Sequence, residues 1–119
     1  MILDSNILIG YINGDEKIRT ALYAWHESGT VLFISHVSVV ETLSRAALTA
    51  DDISRIESFL NDFIIIPIDM EIARYASALR RTHSLALADA LLVATAHVSH
   101  VQLVSRDKKL QKLFSAVAI

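Results

Sequence analysis

The sequence contains no cysteine, a single proline and three glycines among its 119 residues. Without cysteine the chain can form neither disulfides nor thiolate metal sites, and a reducing compartment, the cytoplasm, is the expected location. No run of about 18 uncharged apolar residues is present, which argues against a membrane-spanning helix. The first ten residues lack a basic segment and include Asp4, so we expect no secretory signal.

A large positive charge is also missing, because the formal net charge is −2 at pH 7. Proteins that hold nucleic acid by bulk positive charge are normally more basic. Any nucleic acid is therefore expected to bind locally, through a metal ion, or with the help of a partner chain. Apolar residues make up 53% of the sequence, which is more than one core needs and predicts a protein interface.

Short apolar runs alternate with helical patterns along the chain. Its length fits one domain, which we predict to span residues 1–119. Strands are predicted at 1–3, 31–35, 64–68 and 101–105, with a last one at 116–119. Helices are predicted at 15–27, 36–48, 49–63, 87–98 and 107–114. A further helix is predicted from Asp69 onward, with Ala73, Ala76 and Leu79 pointing inward. This alternation predicts a three-layer α/β/α sandwich with a mainly parallel sheet of four to five strands.

Most of the thirteen acidic residues have ordinary roles at helix starts or on polar helix faces. Four are harder to explain in this way, namely Asp4, Glu41, Asp89 and Asp107. Each also has an ordinary explanation. Asp4 could be a turn aspartate and Glu41 could pair with Arg45. Asp89 could be a first-turn acid and Asp107 a helix N-cap. In a parallel sheet, however, all four can reach the carboxyl edge, where such folds bind their ligands.

Four carboxylates at one place would repel each other unless a cation were bound between them. Oxygen ligands without cysteine or histidine suit a hard divalent ion, and Mg²⁺ is the first choice with Mn²⁺ second. Sites of this kind activate water and stabilise in-line displacement at phosphorus. Metal ligation by His97 and His100 is the less favoured alternative, because no H-E-x-x-H motif is present.

The acids and their neighbours resemble the motifs of the PIN-domain nucleases, especially the VapC-type toxins of toxin–antitoxin pairs. The similar segments are LDSNILI, SVVETLS, LADALLVATA and LVSRDKKL, in the family's order and across essentially the whole chain. The resemblance implies a PIN-like domain with metal-dependent endoribonuclease activity on RNA. It also implies a homodimer and a cognate antitoxin whose tail blocks the acidic site.

Carried onto this chain, the resemblance implies that Asp4, Glu41, Asp89 and Asp107 bind the metal and catalyse the reaction. Ser5, Asn6 and Ser105 would orient the carboxylates, water or phosphate. Either Asp89 or Asp107 would act as the base. Where some family members have a further acid, this chain has Lys108 and Lys109, which leaves the number of metal ions open.

Basic residues near the last motif are candidates for contacts to the RNA backbone, namely Arg106, Lys108 and Lys109. Two other classes of protein place an aspartate at a strand end. A receiver-like domain would need an acidic pair at the first strand, and a haloacid-dehalogenase-like phosphatase would need an acid at Asn6. A catalytically silent PIN-like module that binds RNA or protein remains as the alternative function.

Overall fold

Four short strands form a single parallel sheet in the computed structural model, which describes residues 1–119. They are β1 (Ile2–Leu3), β2 (Phe33–Ile34), β3 (Ile64–Ile65) and β4 (Leu103–Val104). Their order across the sheet is β3-β2-β1-β4, so β1 and β2 are central. Every pairing is parallel, with Ile2 opposite both Phe33 and Leu103. The predicted parallel sheet is therefore confirmed.

Seven helices connect and cover these strands. They are α1 (Ser5–Ile12), α2 (Glu16–Glu27), α3 (His36–Leu43), α4 (Ala50–Leu60), α5 (Met70–His83), α6 (Leu87–Val98) and α7 (Lys108–Phe114). The helices predicted to start at residues 15, 49 and 69 have N-caps at those positions, since Asp15, Thr49 and Asp69 each accept a backbone N–H from the first turn of the helix that follows. No helix is both long and apolar enough to cross a membrane.

The strands separate two apolar cores because successive side chains of a strand point to opposite faces. Leu3 and Val104 pack on the face that α1, α2 and α4 cover. Ile2 and Leu103 pack on the other face, against α5 and α6. The predicted three-layer α/β/α arrangement is confirmed, with helices packed on both faces of the sheet and only the edge strand β3 exposed.

Two predicted helices end earlier than expected. The predicted helix 36–48 stops at Leu43 with Ser44 as the C-cap, and Ala47 further along has a left-handed backbone with φ of 65° that an α-helix does not contain. The predicted helix 49–63 stops at Leu60, where Asn61 is the C-cap and the N–H of Phe63 turns back to the Leu60 carbonyl.

Two further differences concern burial and the sheet edge. Ala73, expected to point inward on α5, is only half-buried, and Ile72 takes that place with Ala76 and Leu79. The strand expected at 116–119 is reduced to a single bridge between Val117 and Val104. The cause of the second difference is the left-handed Ser115, which redirects the chain immediately before it.

Candidate active site

The polar residues at the carboxyl ends of β1 and β4 form the centre of the candidate site. Asp4 follows β1 and Ser105 follows β4, and because these strands are neighbours their ends meet. Asp4 is only 6% exposed and Ser105 is fully buried. A carboxylate that is this buried needs hydrogen-bond donors around it.

Three side chains supply donors to Asp4. The Ser105 hydroxyl donates to Oδ2 at 2.6 Å, and the Asn6 amide donates to the same oxygen at 3.2 Å. The Ser5 hydroxyl donates to Oδ1 at 3.4 Å. Since the chain gives Asp4 no cationic partner, these contacts hold the carboxylate in place without neutralising it.

Asn6 and Ser105 also connect the two strand ends to each other. The Asn6 amide donates to Ser105 Oγ at 3.2 Å, and its carbonyl oxygen accepts the Arg106 backbone N–H at 3.2 Å. Ser105 Oγ in turn accepts the backbone N–H of Asp107 at 3.0 Å. The segments around residues 4 and 105 are therefore held as one unit, although they lie far apart in sequence.

Asp107 is the N-cap of α7, as its ordinary alternative predicted. Its Oδ1 accepts the backbone N–H groups of Lys109 at 2.8 Å and of Leu110 at 3.4 Å. Its Oδ2 accepts no hydrogen bond from the protein. Capping and metal binding are compatible here, because one oxygen positions the side chain and the other stays free.

Asp89 lies in the first turn of α6 and is half-buried. Burial is the main reason why the pKa of Asp89 is raised, and the negative charges of Asp4 and Asp107 raise it further. The positive charge of Lys109 acts in the opposite direction. Asp89 therefore lies within electrostatic reach of Asp4 and Asp107.

Glu41 lies near the end of α3 and is the most exposed of the four acids. Partial burial raises the pKa of Glu41, the Ser5 hydroxyl partly offsets this, and the charges of Asp4 and Asp89 add to the increase. Its expected pair with Arg45 is not formed, because the Arg45 guanidinium instead donates to the Thr42 carbonyl at 3.2 Å. The ordinary explanation for Glu41 is thus removed.

The structure brings the four acids to one edge, but it contains no set of three acidic or histidine side chains that could hold a metal ion as they stand. The donor chemistry nevertheless fits a hard divalent ion, since every candidate ligand is a carboxylate oxygen. Burial is the main cause of the raised pKa values of Glu41 and Asp89, and neighbouring negative charges, which a bound cation would offset, add to both. Their assignment as ligands stays a prediction.

The basic residues that are candidates for RNA contacts differ in whether they already form an ion pair. Arg106 Nη1 binds Asp15 Oδ2 at 2.7 Å, which joins the last motif to the start of α2 and lowers the pKa of Asp15. Lys108 and Lys109 are exposed on α7 and form no ion pair. Of the disfavoured histidines, His97 stacks on Tyr75 with ring centroids 4.3 Å apart.

Sequence reasoning missed two buried hydroxyls that position α3. Ser38 is 1% exposed and donates to the Leu3 carbonyl at 3.5 Å, one residue before Asp4. Thr42 is fully buried and donates to the Ser38 carbonyl at 2.7 Å. Their only signal in the sequence is a polar side chain on the apolar face of a helix. They fix the helix that presents Glu41 to the site.

One consequence for stability follows from the raised pKa of Asp89. Because the folded state disfavours the ionised form, metal-free protein should lose stability as pH rises from the ordinary carboxyl value through the raised value. We expect Asp89→Asn to be more stable than the unchanged chain at neutral pH in chelator, and equally stable at acidic pH. Thermal unfolding at both pH values measures this.

The matched control for that measurement is Glu57→Gln, which changes an exposed glutamate of α4 outside the acidic site. It should leave the pH dependence unchanged. If Asp89→Asn were the less stable protein at neutral pH, the electrostatic description of the site would be wrong.

Comparison with protein-family models finds a match to the PIN domain over residues 1–114. A comparison with curated proteins finds no similar sequence. Among solved structures, a toxin-antitoxin complex from Klebsiella pneumoniae contains a chain that is 31% identical, with a TM-score of 0.84. The alignment covers 98% of this chain and 94% of that one.

Two more distant structures share the fold. VapBC2 from Rickettsia felis, bound to a DNA fragment from their promoter, has a chain with 19% identity and a TM-score of 0.83, covering 99% of this chain and 96% of that one. FitAcB from Neisseria gonorrhoeae has a chain with 20% identity and a TM-score of 0.73, covering 99% and 95%. The overall architecture is therefore that of these complexes' matching chains.

Proposed function

Since this chain belongs to the PIN domain family, we propose that it is a VapC-type toxin of a toxin–antitoxin pair and hydrolyses RNA phosphodiester bonds. The observation that carries the proposal is the position of Asp4 and Asp107 just after β1 and β4, with Glu41 and Asp89 within electrostatic reach of Asp4. Similarity over nearly the full length to a chain of the Klebsiella toxin-antitoxin complex supports the toxin assignment.

We assign the four carboxylates as ligands of Mg²⁺, with Mn²⁺ as the alternative ion. The ion would supply positive charge to the phosphate oxygens and lower the pKa of water in the site. Asp4 would bind it with a carboxylate already oriented by Ser5, Asn6 and Ser105. Asp107 would offer Oδ2, since Oδ1 is used to cap α7.

Among the carboxylates, Asp89 is our choice for the base that takes the proton from the attacking water. The Asp89 carboxylate accepts no hydrogen bond from the protein and so stays available to water, whereas Oδ1 of Asp107 is occupied by backbone N–H groups. The water oxygen would form the new bond to phosphorus, and the 3′ oxygen would leave. The product would carry a 5′-phosphate.

Lys108 and Lys109 are the residues we assign to the RNA backbone, because both are exposed beside Asp107 and neither is paired. Arg106 would contribute less, since Asp15 already binds its guanidinium. Such contacts position an RNA strand but do not read its sequence. With so few of them, the salt dependence of binding should be shallow.

The direct test is cleavage of total RNA by the purified chain in Mg²⁺, in Mn²⁺ and in excess chelator. We expect cleavage with either ion and none with chelator, and products with 5′-phosphates. Cleavage that persists in chelator would exclude the metal-dependent reaction. RNA binding without cleavage under every condition would instead favour the catalytically silent module.

Removing the Ser105 hydroxyl should lower cleavage without removing any carboxylate. Ser105→Ala deletes the 2.6 Å hydrogen bond to Asp4 and the acceptor for Asp107 N–H. We expect cleavage to fall by about 10- to 100-fold, as for groups that orient metal ligands. Ser105→Thr keeps the hydroxyl and should retain most activity. Equal rates for Ser105→Ala and the unchanged chain would show that this hydrogen bond is not needed.

An antitoxin and a second copy of this chain are the protein partners we propose. The solved complexes of similar chains support the first. For the second, several large apolar side chains are exposed, namely Val40, Ile65, Ile68, Met70 and Leu87. Apolar exposure of this kind is typical of an interface.

A charge in place of one of these exposed apolar side chains should therefore prevent dimerisation. Met70 is 64% exposed, and Met70→Glu would place a carboxylate in the apolar interface. We expect sedimentation velocity to show a dimer for the unchanged chain and a monomer for Met70→Glu. Leu113→Glu changes an equally apolar exposed residue on α7 and should stay dimeric. If all three proteins were dimers, the interface would not include Met70.

A further inference from the structure

An ion pair joins the start of α2 to residues 105–107, the loop between β4 and α7. Arg106 Nη1 lies 2.7 Å from Asp15 Oδ2, and the two side chains are 34% and 31% exposed. The only other ion pair of the chain lies within α4. The Asp15–Arg106 pair is therefore the one ionic contact between separate elements, and it is made by the residue immediately before Asp107.

The Asp15 side of this ion pair is fixed to the core. Asp15 Oδ1 accepts the Ile18 backbone N–H at 3.1 Å, and the Asp15 N–H donates to the Gly10 carbonyl at 2.9 Å. Ile18 is fully buried and packs so close to Gly10 that a Cβ atom at Gly10 would collide with Ile18 Cδ1. The close packing of α1 on α2 therefore determines where the Asp15 carboxylate lies.

The Arg106 side of the ion pair belongs to a loop whose backbone is held by neutral hydrogen bonds. The Arg106 N–H donates to Asn6 Oδ1 at 3.2 Å, and Gln111 Nε2 donates to the Ser105 carbonyl at 2.8 Å. The bond to Asp15 is the only hydrogen bond of the Arg106 side chain, and it adds a charge-assisted restraint to the neutral ones.

The direction of this loop matters for both residues beside Arg106. The Ser105 hydroxyl donates to Asp4 Oδ2 at 2.6 Å and accepts the Asp107 N–H at 3.0 Å. Asp107 uses Oδ1 to cap α7, which leaves Oδ2 as its free oxygen. A rotation of the loop would therefore move that free oxygen and loosen the support of Asp4 together.

We propose that Asp15 is a positioning residue for the metal site. Acting through Arg106, it holds residues 105–107 in the orientation in which Asp107 Oδ2 and the Asp4 carboxylate bind one ion. This inference rests on the proposed function and adds a residue from outside the four acidic motifs. Groups that orient metal ligands commonly affect metal affinity almost as strongly as the ligands do.

A half-exposed ion pair of this kind contributes little to the free energy of unfolding. Asp15→Asn also keeps the N-cap of α2, because asparagine caps helices about as well as aspartate. We therefore expect Asp15→Asn and Arg106→Gln to unfold within a few degrees of the unchanged chain. A loss of metal binding in these variants would then report on the loop and not on the fold.

The test is a titration of Mn²⁺ into the full chain without RNA, followed by electron paramagnetic resonance. We expect Asp15→Asn and Arg106→Gln each to weaken Mn²⁺ binding by about three- to tenfold. The double variant should bind no more weakly than either single variant, because both changes remove the same contact. Glu16→Gln removes an exposed, unpaired acid from the next position of α2 and should leave the affinity unchanged.

Hydrogen exchange of the Asp107 amide gives a second readout that needs no metal. This N–H is bound to Ser105 Oγ, so it should exchange faster in Asp15→Asn and Arg106→Gln and at the normal rate in Glu16→Gln. An unchanged exchange rate in Asp15→Asn would show that the ion pair does not hold the loop, and would overturn the inference.

The outcomes of the Mn²⁺ titration are distinct from those of the RNA cleavage assay. Normal Mn²⁺ affinity in Asp15→Asn, or losses that add up in the double variant, would overturn the positioning role and leave the nuclease proposal standing. Loss of RNA affinity in Arg106→Gln with normal Mn²⁺ affinity would make Arg106 an RNA ligand and also overturn it. Asp15-dependent Mn²⁺ binding by a chain that never cleaves RNA would support the positioning role and reject the nuclease.

Discussion

Replacing Asp4 with asparagine is expected to lower RNA cleavage by at least about 100-fold and to leave the fold intact. Asparagine has the shape of aspartate, and its one oxygen can still accept from Ser105 and Asn6 as Oδ2 does now. What is lost is the negative charge at the most buried of the four acids. Initial cleavage rates on a defined RNA, in saturating Mg²⁺, measure the effect.

The matched control is Asp51→Asn, an aspartate-to-asparagine change on the exposed first turn of α4. Asp51 only pairs with Arg55 at the surface, where an ion pair contributes little. Asp51→Asn should cleave RNA at the normal rate. In chelator, Asp4→Asn should unfold at or above the temperature of the unchanged chain, because one repelling charge is gone. Normal cleavage by Asp4→Asn would reject the proposed mechanism.

The largest expected effect on stability comes from Leu3→Ala. Leu3 is fully buried in the core beneath α1, α2 and α4. Truncating such a side chain removes buried apolar surface and leaves a cavity, which costs about 2–5 kcal/mol in the free energy of unfolding. For a domain of this size, we expect the midpoint of thermal unfolding to fall by roughly 10 °C. Calorimetry gives both quantities.

The control for this truncation is Leu113→Ala, at a leucine of α7 that is 46% exposed. Its removal should change the free energy of unfolding by less than about 0.5 kcal/mol. An equal loss for both variants would mean that the two-core description is wrong. Because Leu3 immediately precedes Asp4, and its carbonyl accepts from Ser38, Leu3→Ala should also lower RNA cleavage below its melting temperature.

Local sequence signals predicted several helices closely. The helix expected at 87–98 is observed as α6 with the same bounds. A long apolar segment that is buried has few conformations available other than a helix. The starts of α2, α4 and α5 were predicted from Asp15, Thr49 and Asp69, because a cap acts within three residues of itself. Helix ends were less predictable, since Ala47 adopts its left-handed backbone without any sequence signal.

The residues of the candidate site were predicted, but the hydrogen bonds and ion pairs that join them were not. Strand order and chain direction bring Asp4 and Asp107 to one edge, and this could be expected from alternating strands and helices. The hydrogen bond from Ser105 to Asp4 spans 101 residues, and the Arg106–Asp15 ion pair spans 91. Contacts over such distances depend on how the strands pair, which no local pattern specifies.

Short-range periodicity and motif order predicted the class of fold and the family, and they singled out four acidic positions as candidates. Three features depend on the tertiary structure, namely that Glu41 has no Arg45 partner, that Asp107 also caps α7, and that Arg19 and Arg45 line one cleft. Each of these depends on distances between side chains from different elements. Such distances are set by the packing of helices on the sheet, which is the point at which local patterns stop being informative.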